Sequence, residues 1–309
     1  MKFSTSLPGI TRYPPITQDW EANMCAQDFQ LVARTADELG FDSISVPEHI
    51  ALPLEMVELM GPFWTHAMTA MAFVAGATTK VIVDSSVIVL PYHHPLVLAK
   101  AVSTLDLLSG GRVRLSIGVG HAEREFAALG VPFHQRGRIT DEYLAAMIEL
   151  WTADEPEFHG RYVDFEQIAF EPKPVQKPHP PIWIGGNSRA AMRRAARHDG
   201  WFPWLITVDQ LPSCLEYIHS LPEFQGRTRP FDIAMAVATP SVSEDHRPLD
   251  GRTGRMVAPE GKQAIIDAIG RLQELGVTST SVPTAAPASL TEYLENLHWV
   301  AEEIMPAFR

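Results

Sequence analysis

The sequence has little cysteine and no excess of positive charge. Cys25 and Cys214 are the only two cysteines in 309 residues, which excludes a disulfide scaffold or a cysteine-rich metal site and fits a reducing cytoplasm. The formal net charge is −12 and no basic stripe is present, so nucleic acid is not an expected partner. The N-terminus, MKFSTSLPGI, lacks the apolar core of a signal peptide, and no apolar run approaches a membrane span. We therefore expect a cytoplasmic protein with no membrane partner.

Short apolar runs alternate with helical patterns eight times along the chain. The predicted strands are KFSTSL, FDSISV, KVIVDSSVIVL, RVRLSIG, PIWIGG, WFPWL, FDIAMAVA and GVTSTSV, in that order. Strands that alternate with helices indicate a parallel sheet, and eight such units predict an α/β fold that closes as a (β/α)8 TIM barrel in one domain over residues 1–309. The alternative is an open doubly wound sheet, but the turn after its first strand, LPGITRYPP, lacks the glycine spacing of a phosphate fingerprint.

Three stretches are longer than ordinary connections and are predicted insertions in the barrel. Residues 52–66 follow the second strand, and their apolar bias indicates a hydrophobic wall. Residues 153–181 precede the fifth strand and read as a short β excursion. Residues 239–258 are polar and rich in Gly, Pro and Arg, which makes them the candidate for a lid.

Polar side chains follow several of the predicted strands, at the end of the barrel where active sites lie. Glu48 and His49 follow the second strand, and His121 follows the fourth. An imidazole titrates near neutral pH and suits proton transfer, although a polar strand end is the plainer alternative. The first strand offers no His, Asp or Glu, and the adjacent His93 and His94 are expected to diverge, so we predict no metal site and place these two at the start of a helix.

Two glycine turns follow neighbouring predicted strands. Gly118 and Gly120 would let a flat ligand approach the backbone closely. In GGNS, residues 185–188, a double glycine is followed by Asn187 as the expected N-cap of a helix, whose first amides form an anion site for a phosphate. The plainer alternative is a capped turn with no ligand. Together the two turns fit a planar, phosphorylated cofactor.

These motifs, taken in order, resemble the bacterial luciferase-like superfamily and its deazaflavin branch, which uses coenzyme F420. The resemblance rests on FDSISVPEHI, on SSVIVLPYHHPLVLAKAVSTLDLLSGGRVRLSIGVG, on EFAALGVPFHQRGRITDEYLAAMIELW and on PPIWIGGNSRAAMRRAARHDGW. It covers residues 1–205 well and the remainder loosely. It implies a (β/α)8 barrel, a homodimer, and a flavin or deazaflavin at the carboxyl end of the barrel.

The resemblance also implies roles for individual residues. His49 would lie beside the reactive face of the ring, with Glu48 orienting it or meeting the cofactor's polar edge. Ser86–Val87 would be a non-prolyl cis peptide that buttresses the ring. Gly185, Gly186, Asn187 and Ser188 would hold the phosphate. His121 stands where the sugar-phosphate dehydrogenases of the family have a glutamate acid, a departure that argues against a sugar phosphate.

We accordingly predict an F420-dependent oxidoreductase that transfers a hydride to or from a small-molecule organic substrate. An FMN-dependent monooxygenase is the alternative within the same enzyme class, and a non-catalytic flavin-binding protein is the alternative outside it. Both cofactors have a tricyclic ring and a phosphate. Trp64, Trp201 and Trp204 would either wall the substrate pocket or belong to the core.

Overall fold

The computed structural model describes residues 1–14, 16–204, 206–237, 259, 261–282 and 286–309. The candidate lid at 239–258 therefore lies outside the described residues. The strands are β1 Lys2–Ser6, β2 Ser43–Val46, β3 Ile82–Ser85, β4 Ile88–Val89, β5 Val113–Gly118, β6 Phe158–His159, β7 Asp164–Phe165, β8 Ile182–Gly185, β9 Gly200–Phe202, β10 Asp232–Ile233 and β11 Ser279–Ser281.

Helices follow the strands around the barrel. They are α1 Ala26–Leu39, α2 Leu54–Met60, α3 Ala67–Ala77, α4 Pro95–Ser109, α5 Glu123–Ala128, α6 Arg136–Thr152, α7 Arg189–Arg197, α8 Leu211–Ser220, α9 Pro222–Gln225, α10 Lys262–Glu274 and α11 Leu290–Trp299. Within the described ranges, no helix is both long enough and apolar enough to cross a membrane.

The strands form a nearly closed parallel barrel, as the alternating pattern predicted. Their order is β10-β9-β8-β5-β3-β2-β1-β11, and β4 pairs with β5. A parallel bridge between Ala234 and Ser279 joins the two ends of this order. All eight positions of a (β/α)8 barrel are thus occupied, which brings the carboxyl ends of distant strands to one rim.

The third predicted strand, KVIVDSSVIVL, is not continuous. It divides into β3 and β4, and between them the Ser86–Val87 peptide bond is cis, as the resemblance implied. β3 pairs with β2 and β5, whereas β4 pairs with β5. The apolar, β-branched composition predicted a single strand because propensity reports burial and does not report where the backbone changes direction.

Two of the predicted insertions lie within the described residues. The stretch at 52–66 contains α2, and its end pairs with the loop after β1 through an antiparallel bridge between Thr11 and Trp64. The stretch at 153–181 contains the antiparallel pair β6–β7, which confirms the predicted β excursion. The first insertion thus packs against the loop after the neighbouring strand β1, and the second lies beside α6.

A charged residue fills part of the barrel interior. Arg114 on β5 is buried and donates to Asp42 at 3.1 Å, to Asp84 at 3.0 Å and to the Ser43 hydroxyl at 2.6 Å. Its guanidinium also lies 3.8 Å from the ring centroid of Trp183 on β8. Burial raises the pKa of the Asp84 carboxyl, and the facing guanidinium opposes that shift. The interior is therefore held by an ionic network beneath the rim as well as by apolar packing, and within the described residues Nε is the one nitrogen of the Arg114 guanidinium with no partner.

Candidate functional site

His49 lies at the centre of the rim, on the loop after β2. Its side chain is only 7% exposed. The ring centroids of His49 and Trp64 lie 4.5 Å apart, with an angle of 74° between the ring planes. Those of His49 and His121 lie 5.6 Å apart, with perpendicular ring planes. The structure therefore brings together the two histidines that the sequence singled out, and it adds Trp64 from the first insertion as an aromatic neighbour. His121 is exposed on the loop between β5 and α5.

Glu125 on α5 is the residue of the candidate site that the sequence reasoning missed. Its side chain is fully buried, and its Oε2 lies 2.8 Å from His49 Nδ1. Oε1 accepts from the backbone amides of Ile50 at 2.6 Å and Ala51 at 2.9 Å, and the Tyr92 hydroxyl donates to Oε2 at 2.9 Å. The sequence did contain a signal that Glu125 is buried, because this charged residue lies at helical spacing among the apolar residues Ala122, Phe126 and Leu129.

The electrostatics of this group follow from its hydrogen bonds. Burial alone would raise the pKa of Glu125, but the bonds from His49 and from the amides of Ala51 and Ile50 outweigh burial and lower that pKa below its usual range. Burial and the neighbouring Glu125 carboxylate raise the pKa of Tyr92 well above its usual value. Glu125 is accordingly an anion at neutral pH, and Tyr92 is a neutral phenol that donates to it.

Glu48 does not orient His49, contrary to one of its two expected roles. Both of its carboxylate oxygens lie within 3.0 Å of His93 Nε2, and Oε2 also accepts from the Val89 amide at 3.0 Å. The carboxylate is buried, and these partners account for it without a cofactor. Its second expected role, a contact with the cofactor's polar edge, stays a prediction. His93 precedes α4 as predicted, but its ring turns inward to Glu48, whereas His94 is exposed.

One group of side chains beside the site has the composition of a metal site. The ligand atoms of Glu48, His66 and His93 all lie within 4.8 Å of one another. The carboxylate already accepts from His93, and His66 Nδ1 accepts from the Thr69 amide at the start of α3. Hydrogen bonding thus accounts for all three side chains, and the predicted absence of a metal stays a prediction.

Val87, which follows the cis peptide, packs against two of the predicted glycines. A Cβ on Gly118 would lie 2.6 Å from Val87 Cγ2, and one on Gly185 would lie 3.0 Å from Val87 Cγ1. Gly120, at a φ of +79°, would similarly meet Val89 at 2.6 Å and the ring of Phe126 at 2.8 Å. The immediate reason for these glycines is therefore close packing of protein side chains. Their contact with a flat ligand, like that of Ser86 and Val87, stays a prediction.

The predicted phosphate turn differs from expectation in two details. The amide of Gly186 donates to the Phe202 carbonyl at 3.0 Å, so it is not open to a phosphate. The N-cap of α7 is Ser188 rather than Asn187, since the Ser188 Oγ accepts from the Ala191 amide at 3.2 Å. Among the described residues, the amides of Asn187 and Ser188 have no intramolecular acceptor. These two amides and the positive end of α7 remain suited to an anion.

The three tryptophans have different surroundings. Trp64 contacts His49 in the site. Trp201 is fully buried, and its indole N–H donates to the Gly186 carbonyl at 2.7 Å, so it belongs to the core and supports the turn before α7. Trp204, on the segment after β9, is 40% exposed.

The sequence of this chain is similar to those of several known proteins. The family model described as luciferase-like monooxygenase matches residues 2–248. The uncharacterized protein Rv0940c of Mycobacterium tuberculosis is 31% identical over 293 residues, covering 89% of this chain and 93% of that protein. The FMNH(2)-dependent dimethylsulfone monooxygenase of Pseudomonas putida is 36% identical over 141 residues, covering 45% of this chain and 37% of that enzyme.

Two solved structures have the same fold. The monooxygenase RslO1 from Streptomyces bottropensis superposes with a TM-score of 0.78 at 20% identity, over 100% of each chain. An F420-dependent secondary alcohol dehydrogenase, solved with an F420-acetone adduct, superposes with a TM-score of 0.76 at 18% identity, over 100% of this chain and 99% of that one. The fold is therefore shared with both structures across the full length of this chain.

Proposed function

Because the chain belongs to the luciferase-like monooxygenase family, whose members are oxidoreductases and monooxygenases, we propose that it is a coenzyme F420-dependent oxidoreductase acting on a small organic substrate. The observation that carries the proposal is the environment of His49, a nearly buried imidazole held by an ionised carboxylate at the rim of the barrel. A group in this position is suited to exchange a proton with whatever lies above it.

The residues present fit a deazaflavin in two places. Ser86 and Val87 would contact the ring, with Val87 held in place between Gly118 and Gly185. The amides of Asn187 and Ser188, at the start of α7, would bind a phosphate. A deazaflavin supplies a hydride from carbon, and His49 would take up or release the proton that accompanies it. Trp64 would exclude water from one side of His49.

An FMN-dependent monooxygenase remains the second candidate. It is favoured by the 36% identity to the Pseudomonas putida enzyme, which covers 45% of this chain. The F420 proposal is supported by the motif resemblance and by the nearly buried His49 imidazole that Glu125 holds at the rim. A non-catalytic flavin-binding role is the third possibility, and His49 with its buried carboxylate weighs against it.

Titration of the purified protein with each oxidised cofactor separates these functions. We expect micromolar or tighter binding of F420 and weaker binding of FMN, followed by anaerobic oxidation of reduced F420 in a screen of alcohols, ketones and activated alkenes. Tighter binding of FMN, with oxidation of reduced FMN that requires oxygen and substrate, would favour the monooxygenase. Binding of either cofactor with no turnover across the screen would favour the non-catalytic role.

We also propose that the protein is a homodimer that uses the outer face of α3 and α4. The sequence of α3, AMTAMAFVAGA, contains no charged residue, and a helix that is apolar all round is normally covered. Phe73 is 37% exposed on α3, and Val97 and Leu108 are 69% and 79% exposed on the adjacent α4. A two-fold symmetric contact would bury this surface against the same surface of a second copy.

A further inference from the structure

We propose that Glu125 is a positioning residue that fixes His49 in the tautomer protonated at Nδ1, so that Nε2 is the nitrogen left for proton transfer. The effect on turnover rests on the proposed function. The tautomer itself does not, because it follows from the contacts of the protein alone. The two oxygens of the buried Glu125 carboxylate have different hydrogen-bond partners.

The first oxygen holds the loop that carries His49. Glu125 Oε1 accepts from the amides of Ile50 and Ala51, at 2.6 and 2.9 Å. Both partners are backbone N–H groups, which can only donate. Any replacement side chain must therefore present an acceptor at this position, or the loop after β2 loses two bonds.

The second oxygen determines which nitrogen of His49 carries the proton. Glu125 Oε2 lies 2.8 Å from His49 Nδ1 and 2.9 Å from the Tyr92 hydroxyl. An ionised carboxylate only accepts hydrogen bonds, so both neighbours must donate to it. The bond at Nδ1 therefore requires a proton on Nδ1, and a neutral His49 then has its lone pair on Nε2.

Nε2 lies on the opposite edge of the ring from this carboxylate. Among the described residues it has no hydrogen-bond partner, while the rings of Trp64 and His121 lie within 4.5 and 5.6 Å of the imidazole. Nδ1 keeps its proton and its bond to Oε2 whether or not Nε2 has accepted a proton. His49 can thus act as the base for an alcohol or, once protonated, as the acid for a carbonyl, without leaving its bond to Glu125.

Glu125→Gln is the informative substitution. The glutamine oxygen must take the Oε1 position, because the amide NH2 would face two backbone donors there. The NH2 group then lies at the Oε2 position and donates, so His49 must accept at Nδ1 and carry its proton on Nε2. We expect the substitution to invert the tautomer while the loop remains in place.

Nitrogen NMR of protein labelled with 15N-histidine measures the tautomer directly and needs no cofactor. The chain has 12 histidines, and a His49→Gln sample identifies the signal of interest. When the ring is neutral, we expect the wild type to show a protonated Nδ1 and an unprotonated Nε2, and Glu125→Gln to show the reverse. Tyr92→Phe is the matched control, because it removes the other donor to Oε2 and should leave the tautomer unchanged.

A wild-type His49 protonated at Nε2, or an unchanged tautomer in a folded Glu125→Gln protein, would overturn the proposal. If Glu125→Gln does not fold, the wild-type spectrum and the Tyr92→Phe spectrum still decide it. Where turnover is found, Glu125→Gln should lower kcat by about 10²- to 10⁴-fold with cofactor affinity nearly unchanged. If the tautomer inverts as expected but wild-type protein oxidises no reduced F420, the proposed function fails and the role of Glu125 stands.

Discussion

Gly118 is the position at which a single added methyl group should damage both stability and the proposed cofactor site. It is the last residue of β5 and does not have a positive φ, so an alanine backbone is unstrained there. The added Cβ would lie 2.6 Å from Val87 Cγ2, about 1 Å closer than the optimal carbon–carbon separation. Val87 must move, and overpacking of this kind costs about 1–3 kcal/mol.

A double mutant isolates the clash from other effects. Val87→Ala alone removes two methyl groups from a half-buried side chain, which should cost about 1 kcal/mol. In that background Gly118→Ala should cost almost nothing further, because the Cγ atom it strikes is gone. The two substitutions should therefore couple by about 1–3 kcal/mol in the stabilising direction.

Urea unfolding and thermal melting measure the stability term, and F420 or FMN titration measures the site. Gly185→Ala should be milder than Gly118→Ala, because its Cβ would approach Val87 only to 3.0 Å. Gly270→Ala on α10 is the control: its Cβ would meet nothing within 4 Å, so it should stabilise by about 0.5–1 kcal/mol. Strictly additive effects of Gly118→Ala and Val87→Ala would refute the packing argument. Unchanged cofactor affinity in Gly118→Ala would refute the proposed contact between Val87 and the ring.

Three further outcomes are expected. His49→Ala should keep cofactor affinity within a few-fold but lose about 10²- to 10⁴-fold in turnover. If His49→Ala turned over normally and His121→Ala did not, the proton role would move to His121. Arg114→Met should destabilise by about 3–5 kcal/mol in urea unfolding because it leaves the buried Asp84 carboxylate without its cation. Lys2→Met, at the part-exposed pair with Asp232, should cost below about 1 kcal/mol. Phe73→Asp should convert a dimer to a monomer in light scattering while Gln273→Asp does not, and a wild-type monomer would contradict the proposed interface.

Several features could be predicted from the sequence because they depend on local pattern. The alternation of period-2 and period-3.6 segments predicted the barrel, and the run at 153–181 predicted the extra β pair, since periodicity reports which face of an element is buried. The motif resemblance located the cis bond at Ser86–Val87 within an otherwise strand-like run. His49 and His121 were singled out by their position after strands, and both are at the rim.

The sequence by itself thus determined the barrel, the rim and the imidazole at its centre, whereas only the tertiary structure decided which polar groups pair. Glu125 reaches His49 across 76 positions of chain, and Glu48, next to His49 in sequence, bonds to His93 instead. The Gly186 amide donates a hydrogen bond to the Phe202 carbonyl of the next strand. Hydrogen bonds depend on distances of a few tenths of an ångström between atoms that closure of the barrel brings together. Those distances cannot be inferred from the order of the residues or from the hydrophobic periodicity.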